Sequence, residues 1–222
     1  MSDMNVKRPL PLSLPIVSIA YPDGLLKSAD LSSPIPVLVE MWEAAEPGYY
    51  FQLTLNGELV GDIRAFTETD KNGELFTVFL SEDLLAEHGN YRLGYMASSP
   101  YSDSHTPSPE VTLKVDRSAP GAALLAPMIV TDHAVGERFT ALVPGYAGME
   151  SGDIIQITCN GTAGPIHTVQ PDELTIRPIE IVFEREALQS FAAQNVVIDY
   201  SVTDRAGNQS IKSLPVTLSL TL

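Results

Sequence analysis

The chain has 222 residues, and its 28 acidic and 13 basic side chains give a formal charge of −15 at pH 7. This balance excludes the basic surface that a nucleic-acid partner requires, and it argues equally against anionic membrane surfaces. The length fits two domains of ordinary size, and the single cysteine, Cys159, excludes an internal disulfide.

Residues 1–12 are predicted to form an extended, proline-rich lead-in. Pro9 and Pro11 interrupt its apolar residues, which prevents the helical core of a classical signal peptide. No later run stays apolar over the roughly 20 residues that a transmembrane helix needs, so we expect no membrane insertion. The expected location is the cell surface or the medium, reached without a classical signal peptide, with the cytoplasm as the alternative.

The first half alternates short apolar segments with Gly, Pro, Asn and Asp, which is the pattern of an all-β sandwich. In one segment Phe51, Leu53 and Leu55 fall on the same face, and Asn56-Gly57 then favours a tight hairpin turn. Helix formers cluster at 82–87, and again at 185–193, and predict single helical turns. The predicted strands lie near residues 16–20, 35–41, 49–56, 58–65, 75–80, 90–97 and 109–116.

The second half repeats the first at an offset of 104 residues. Gln52-x-Thr54-x-Asn56-Gly57 recurs as Gln156-x-Thr158-x-Asn160-Gly161, and Val78-Phe79 recurs as Val182-Phe183. Such self-similarity predicts two copies of one domain. The repeat also places Cys159 on the inward face of a central strand, where we expect a buried structural thiol.

The two copies are predicted to be β-sandwich domains of about seven strands each, at 13–116 and 117–222. The segment 116–121 joins them and ends in Pro-Gly, which breaks a continuing strand. Because a linker of so few residues restricts the relative orientation of two domains, we expect a monomeric, elongated rod.

Three segments resemble a known family. Val115-Asp116-Arg117-Ser118-Ala119-Pro120 resembles the V-D-x-x-A-P junction of tandem bacterial Ig-like repeats, and Thr203-Asp204-Arg205-Ala206-Gly207-Asn208 resembles their T-D-x-A-G-N loop. The segment 146–154 is similar to one in Ig-like repeats of large proteobacterial surface proteins of the adhesin type. The resemblance implies two tandem Ig-like sandwiches that serve adhesion, spacing or display.

The first copy departs from this pattern. Its segment 42–48 replaces the Gly-Met motif of the second copy, and its segment 98–103 replaces the Asp-Arg-Ala-Gly-Asn loop. It does carry Glu87-x-Gly89-x-Tyr91-x-Leu93, which resembles the tyrosine corner of Ig-type sandwiches. Any distinct function is expected where the copies disagree.

The sequence contains no catalytic constellation. His88, His105, His133 and His167 are not in a metal-ligand spacing, and no Gly-x-Ser-x-Gly elbow occurs. We therefore predict a non-enzymatic protein without a cofactor, although a carboxylate pair assembled from distant strands stays open.

Calcium is the one ligand that the acidic residues suggest. Hard cations take several oxygen ligands from loops, and Asp116, Asp153 and Asp204 are the candidates. The alternative for Asp204 is structural, because Asp and Asn stabilise turns through bonds to the backbone.

Aromatic residues are the candidate interaction site. Trp42, Tyr49 and Tyr101 lie near loops, and an exposed cluster would suit a carbohydrate or protein partner, whereas a buried one would belong to the core or the junction. The leading function is an adhesion or spacer module of a bacterial surface or secreted protein, with a protein or glycan partner. The alternative is a carbohydrate-binding or toxin-associated accessory module.

Overall fold

The computed structural model describes residues 12–130, 138–175, 178–184 and 195–219. Two compact units separate between Asp116 and Arg117. The predicted lead-in, apart from residue 12, lies outside the described residues, as do His133 and the predicted helical turn at 185–193. No helix within the described ranges is long and apolar enough to cross a membrane.

The first unit is a two-sheet β-sandwich. One sheet has the order β1-β8-β6-β3-β4, with β7 beside β6, and the other pairs β2 with β5. Inward side chains of both sheets form one apolar core. The strands are β1 (Leu25–Leu26), β2 (Ile35–Glu40), β3 (Tyr50–Leu55), β4 (Glu58–Ala65), β5 (Leu75–Leu80), β6 (Gly89–Ser98), β7 (His105–Pro107) and β8 (Val111–Val115).

The second unit repeats this plan around its own core. Its sheets have the orders β13-β10-β9 and β12-β11-β14-β15. The chain is therefore all-β, with two tandem Ig-like sandwiches, and the predicted fold class is confirmed. The strands are β9 (Ile129–Val130), β10 (Arg138–Val143), β11 (Ile154–Cys159), β12 (Thr162–Thr168), β13 (Ile179–Glu184), β14 (Asn195–Thr203) and β15 (Val216–Ser219).

The hairpin turns of the two units use the same hydrogen bonds. Asn56 Oδ1 accepts a bond from the Arg92 amide at 2.9 Å, and Asn160 Oδ1 accepts one from the Val197 amide at 2.8 Å. Both asparagines have positive φ, of 53° and 47°, as a two-residue Asn-Gly turn requires. The bond attaches the first turn to β6 and the second to β14, the strands that lie beside β3 and β11 in their sheets.

The repeat is out of register by one residue at β5 and β13. Ile35 pairs with Leu80 in the first unit, and its counterpart Phe139 pairs with Phe183 in the second. Leu80 is thus the counterpart of Phe183, and matching Phe79 to Phe183 is wrong. Because strand side chains alternate between faces, this shift exchanges inside and outside: Phe79 is 60% exposed and Phe183 is 1% exposed.

The predicted strand at 16–20 is also wrong. Only Ile16 pairs there, in a single bridge to Leu38, and the chain then turns to place β1 parallel to β8. Gly24 permits this approach with a φ of +87°, because a Cβ at that position would overlap the Thr112 carbonyl.

A tyrosine corner and a helical turn close one end of the first sandwich, as predicted. Tyr91 donates its hydroxyl to the Glu87 carbonyl at 2.9 Å, which is the bond of a tyrosine corner. The predicted helical turn is a 3-10 turn over Glu82–Leu85, and it buries Leu85 in the core.

Candidate functional site

Trp42, Tyr49 and Tyr101 lie together at one end of the first sandwich, which we call the aromatic end. The ring centroids of Trp42 and Tyr49 are 6.4 Å apart at an interplanar angle of 64°, and those of Tyr49 and Tyr101 are 6.1 Å apart at 61°. Both contacts have the edge-to-face geometry that aromatic pairs prefer. The sequence named all three residues, and the structure joins them in one row.

The row runs from the core to solvent. Trp42 packs on Phe66 with centroids 5.1 Å apart, and both Trp42 and Tyr49 are half-buried against the core. Tyr101, by contrast, is 75% exposed. The core interpretation therefore fits Trp42 and Tyr49, and the interaction interpretation fits Tyr101.

Tyr101 is bonded within its own loop and lies close to the loop that contains Pro47. Its hydroxyl lies 3.5 Å from the Pro47 carbonyl, and its amide donates to Ser99 Oγ at 3.1 Å. Gly48, with a φ of +92°, lets the loop that contains Pro47 lie close to the loop that contains Tyr101, since a Cβ on Gly48 would be 3.3 Å from Pro100 Cγ.

The same end of the second sandwich is built differently on the same backbone plan. Gly152 is the counterpart of Gly48. Each donates its amide to the residue that directly follows β12 or β4, at 2.8 Å to the Val169 carbonyl and 2.9 Å to the Phe66 carbonyl. Arg205 takes the position that Pro100 has in the first unit. A Cβ on Gly152 would lie 2.9 Å from Arg205 Cγ and Cδ, just as a Cβ on Gly48 would lie close to Pro100.

Asp153 occupies the place of Tyr49 and is fully buried. Its Oδ2 accepts bonds from the Tyr146 hydroxyl at 2.8 Å and from the Glu150 amide at 3.0 Å. Among the described residues its Oδ1 has no hydrogen-bond partner. Burial raises the pKa of the Asp153 carboxyl, the two bonds oppose that rise, and the nearby carboxylates of Asp204 and Glu150 add to it.

Asp204 closes its own loop. Its Oδ1 accepts a bond from the Asn208 amide at 2.8 Å, and its Oδ2 accepts one from the Asn208 side chain at 2.9 Å. The Gly207 amide also donates to the Asp204 carbonyl at 3.0 Å. These are the turn bonds of the structural alternative.

The three calcium candidates are divided between the units. Asp116 lies in the first unit, where its Oδ1 is 3.2 Å from His88 Nδ1, whereas Asp153 and Asp204 lie in the second. In the part of the chain that the structure describes, no three His, Cys, Asp or Glu side chains group so as to hold a metal ion. Calcium binding by these residues stays a prediction.

Two further polar groups have structural surroundings. Cys159 is buried, and burial, followed by the charge of Asp199, raises the pKa of its thiol. Ser98 Oγ lies 2.7 Å from His105 Nδ1. These two residues are directly opposite in the β6–β7 pair, so their contact secures β7, a strand that the sequence pattern did not predict.

No known protein family and no curated protein matches this chain. Solved structures similar to it include fibronectin(III)-like modules of Clostridium thermocellum CbhA, at 12% identity over 85% of each chain with a TM-score of 0.41. The FN1–FN3 domains of chicken CNTN1 match at 12% identity over 95% of this chain and 65% of that one, with a TM-score of 0.46. The D0–D1 domain of intimin matches at 13% identity over 89% of this chain and 95% of that one, with a TM-score of 0.30.

At such identities and scores, the likeness does not extend beyond the kind of fold. The Ig-like assignment therefore depends on this chain's own strand order and paired core.

Proposed function

We propose that this chain is a non-enzymatic binding and spacing module of a bacterial surface or secreted protein, and that the aromatic end contacts a protein or glycan partner. The observation that carries the proposal is Tyr101, which is 75% exposed although its amide is bonded to Ser99 and its ring packs edge-to-face on Tyr49. Tyrosine provides large contact area at a low cost in side-chain entropy, and it is enriched among the residues that dominate binding energy.

The difference between the two copies supports this assignment. Both units have a glycine at this end, and in each its amide bonds to the residue that follows β4 or β12. In the second unit, the place of Tyr49 holds a buried carboxylate bonded to Tyr146, and the place of Tyr101 holds Ala206, which is 1% exposed. An exposed ring is thus no requirement of the scaffold, and the second unit fits a spacing role better.

Carbohydrate binding is the second candidate, and the same ring favours it. Sugar-binding modules use exposed aromatic platforms, and Tyr101 is the member of the row that offers one. Trp42 and Tyr49 are half-buried, so the exposed platform consists of the Tyr101 ring alone, which packs on Tyr49. A protein contact needs no wider platform, which is why it stays the leading function.

Binding of the full chain to a glycan array and to immobilised surface-protein extracts tests the proposal. Tyr101→Ala is expected to weaken any specific binding by at least about 10-fold. Phe79→Ala is the matched control, because Phe79 is an exposed aromatic of the same unit, 60% exposed on another face. Equal effects of both variants, or none from Tyr101→Ala, would contradict the role of the aromatic end.

A further inference from the structure

The two segments that carry the aromatic row contain acidic residues and no Lys or Arg. Glu43 and Glu46 lie in the loop that contains Trp42 and Pro47, Asp103 lies two residues after Tyr101, and all three are exposed. Segments 42–49 and 98–104 contain no Lys or Arg. Every charge on these two segments is therefore negative; the exposed Lys71 lies in the adjoining turn, next to Asn72, which donates to the Glu43 carbonyl.

The second unit differs here as well. Its loop has Arg205 at the position of Pro100, packed over Gly152, so a positive charge stands among its acids. The first unit instead presents an exposed aromatic residue on segments whose charges are all negative.

This surface has the chemistry of cation recognition. The face of an aromatic ring attracts Lys or Arg through its quadrupole, and Arg also stacks on rings and pairs with carboxylates. The charge of −15 on the chain accelerates encounter with a basic partner and disfavours an anionic one. Sialylated or sulfated glycans are thereby disfavoured.

We propose that the aromatic end binds an arginine-containing segment of a partner protein, with a guanidinium on the Tyr101 ring and Glu43, Glu46 and Asp103 around it. This inference rests on the proposed function and narrows its partner to a basic polypeptide. The edge-to-face contact with Tyr49 keeps the ring in position, so little ordering is needed on binding.

A peptide array tests this directly. Each arginine-containing peptide is printed beside a twin in which citrulline, which is uncharged and nearly isosteric, replaces arginine, and the full chain is the probe. Some arginine peptides are expected to bind, with their citrulline twins weaker by about 10-fold. Tyr101→Ala is expected to remove the difference between twins.

Matched charge variants separate a site from general attraction. The triple variant Glu43→Gln, Glu46→Gln, Asp103→Asn is expected to lower affinity about 10-fold. The control triple, Glu58→Gln, Asp62→Asn, Glu87→Gln, removes the same charge from exposed positions of the same unit and is expected to lower it about 2-fold at most. Equal losses from both triples, or equal binding of arginine and citrulline twins, would overturn the inference.

The outcomes also distinguish this inference from the proposed function. Tyr101-dependent binding to neutral glycans, with none to arginine peptides, would keep the aromatic end as the site and overturn its cationic ligand. Absence of any Tyr101-dependent binding to peptides, glycans or surface extracts would overturn both.

Discussion

Tyr95 and Tyr200 occupy the same place in the two sandwiches, and each donates its buried hydroxyl to the carbonyl of a segment that precedes the strands of its unit. Tyr95 bonds to Ser13 at 3.0 Å and Tyr200 to Ala126 at 2.9 Å. Their backbone amides donate to Ser108 Oγ and Ser213 Oγ. Each tyrosine thus joins the centre of one sheet to a distant part of the chain.

Replacing either tyrosine by phenylalanine should destabilise its own unit. Tyr95→Phe and Tyr200→Phe remove one hydroxyl each. Because Ser13 and Ala126 are exposed, water can take the place of the lost donor, and the loss of each hydrogen bond should cost about 0.5–1.5 kcal/mol. Urea denaturation measures the loss. Tyr50→Phe is the control, because it changes only a half-buried ring on β3 and should destabilise the unit less. Tyr91→Ala would not serve, because it removes the tyrosine corner.

The same hydroxyls predict instability at alkaline pH. Burial raises the pKa of Tyr95 and of Tyr200 to about 12 from the ordinary 10.0. Between these values the unfolded chain has lost protons that the folded chain keeps, so stability falls as pH rises through this window. The double variant Tyr95→Phe, Tyr200→Phe should show a flatter decline in melting temperature from about pH 10 to about pH 12, and an unchanged slope would contradict the assignment.

Asp153 predicts the opposite of the usual acid effect. Because its folded pKa is raised, its contribution favours folding at acid pH and is lost as pH rises through that pKa. Asp153→Asn keeps an acceptor for Tyr146 and Glu150 and removes the buried charge. At neutral pH the variant should melt at or above the parent temperature, with the advantage disappearing near pH 4. Asp172→Asn, an exposed change in the same unit, is the control, and a lower melting temperature for Asp153→Asn at pH 7 would contradict this account.

The edge strand β5 predicts where aggregation begins. Its sequence, Leu-Phe-Thr-Val-Phe-Leu, has no charge and no proline, and it pairs with β2 on one side only within the described residues. Such edges template pairing with other chains. In β13 the exposed Glu180 stands at the position of Thr77.

Exchanging these residues tests the role of that charge. Thr77→Glu should reduce light scattering on heating, and Glu180→Thr should increase it, with each melting temperature close to the parent's because both positions are on the surface. If the two variants scatter alike, β5 does not initiate aggregation.

The calcium hypothesis makes its own prediction. If Asp153 and Asp204, which both lie in the second unit, take part in a calcium site, millimolar calcium should raise the melting temperature above that in EDTA, because a ligand that binds only the folded chain stabilises it. Asp204→Asn should then abolish the rise. Identical transitions in calcium and EDTA would exclude the site.

Periodicity predicted the strands whose apolar and polar residues alternate cleanly. It failed for strands whose position or register depends on contacts with neighbouring strands. The strand around Phe51 follows from its own side chains. The two-residue β1 does not, because it depends on Gly24 accommodating Thr112 across the sheet. The mismatch of Phe79 with Phe183 arose because similar apolar pairs recur one residue out of step, and only the cross-strand partners reveal which face each occupies.

The site was predictable in membership but not in arrangement. Sequence named Trp42, Tyr49 and Tyr101, yet which of them is exposed depends on how Gly48 and Pro100 bring two distant loops together. Likewise, Asp153 was a candidate ligand because of its charge, and its complete burial beneath Tyr146 could not be read from spacing.

Trp42 and Cys159 are the only tryptophan and the only cysteine of the chain, and each lies in a different unit. Indole fluorescence therefore follows the first sandwich alone, whereas a thiol-reactive dye gains access to Cys159 only when the second sandwich opens. The natural chain thus contains a separate optical and chemical reporter for each half, so the cooperativity between the halves can be measured without introducing any label.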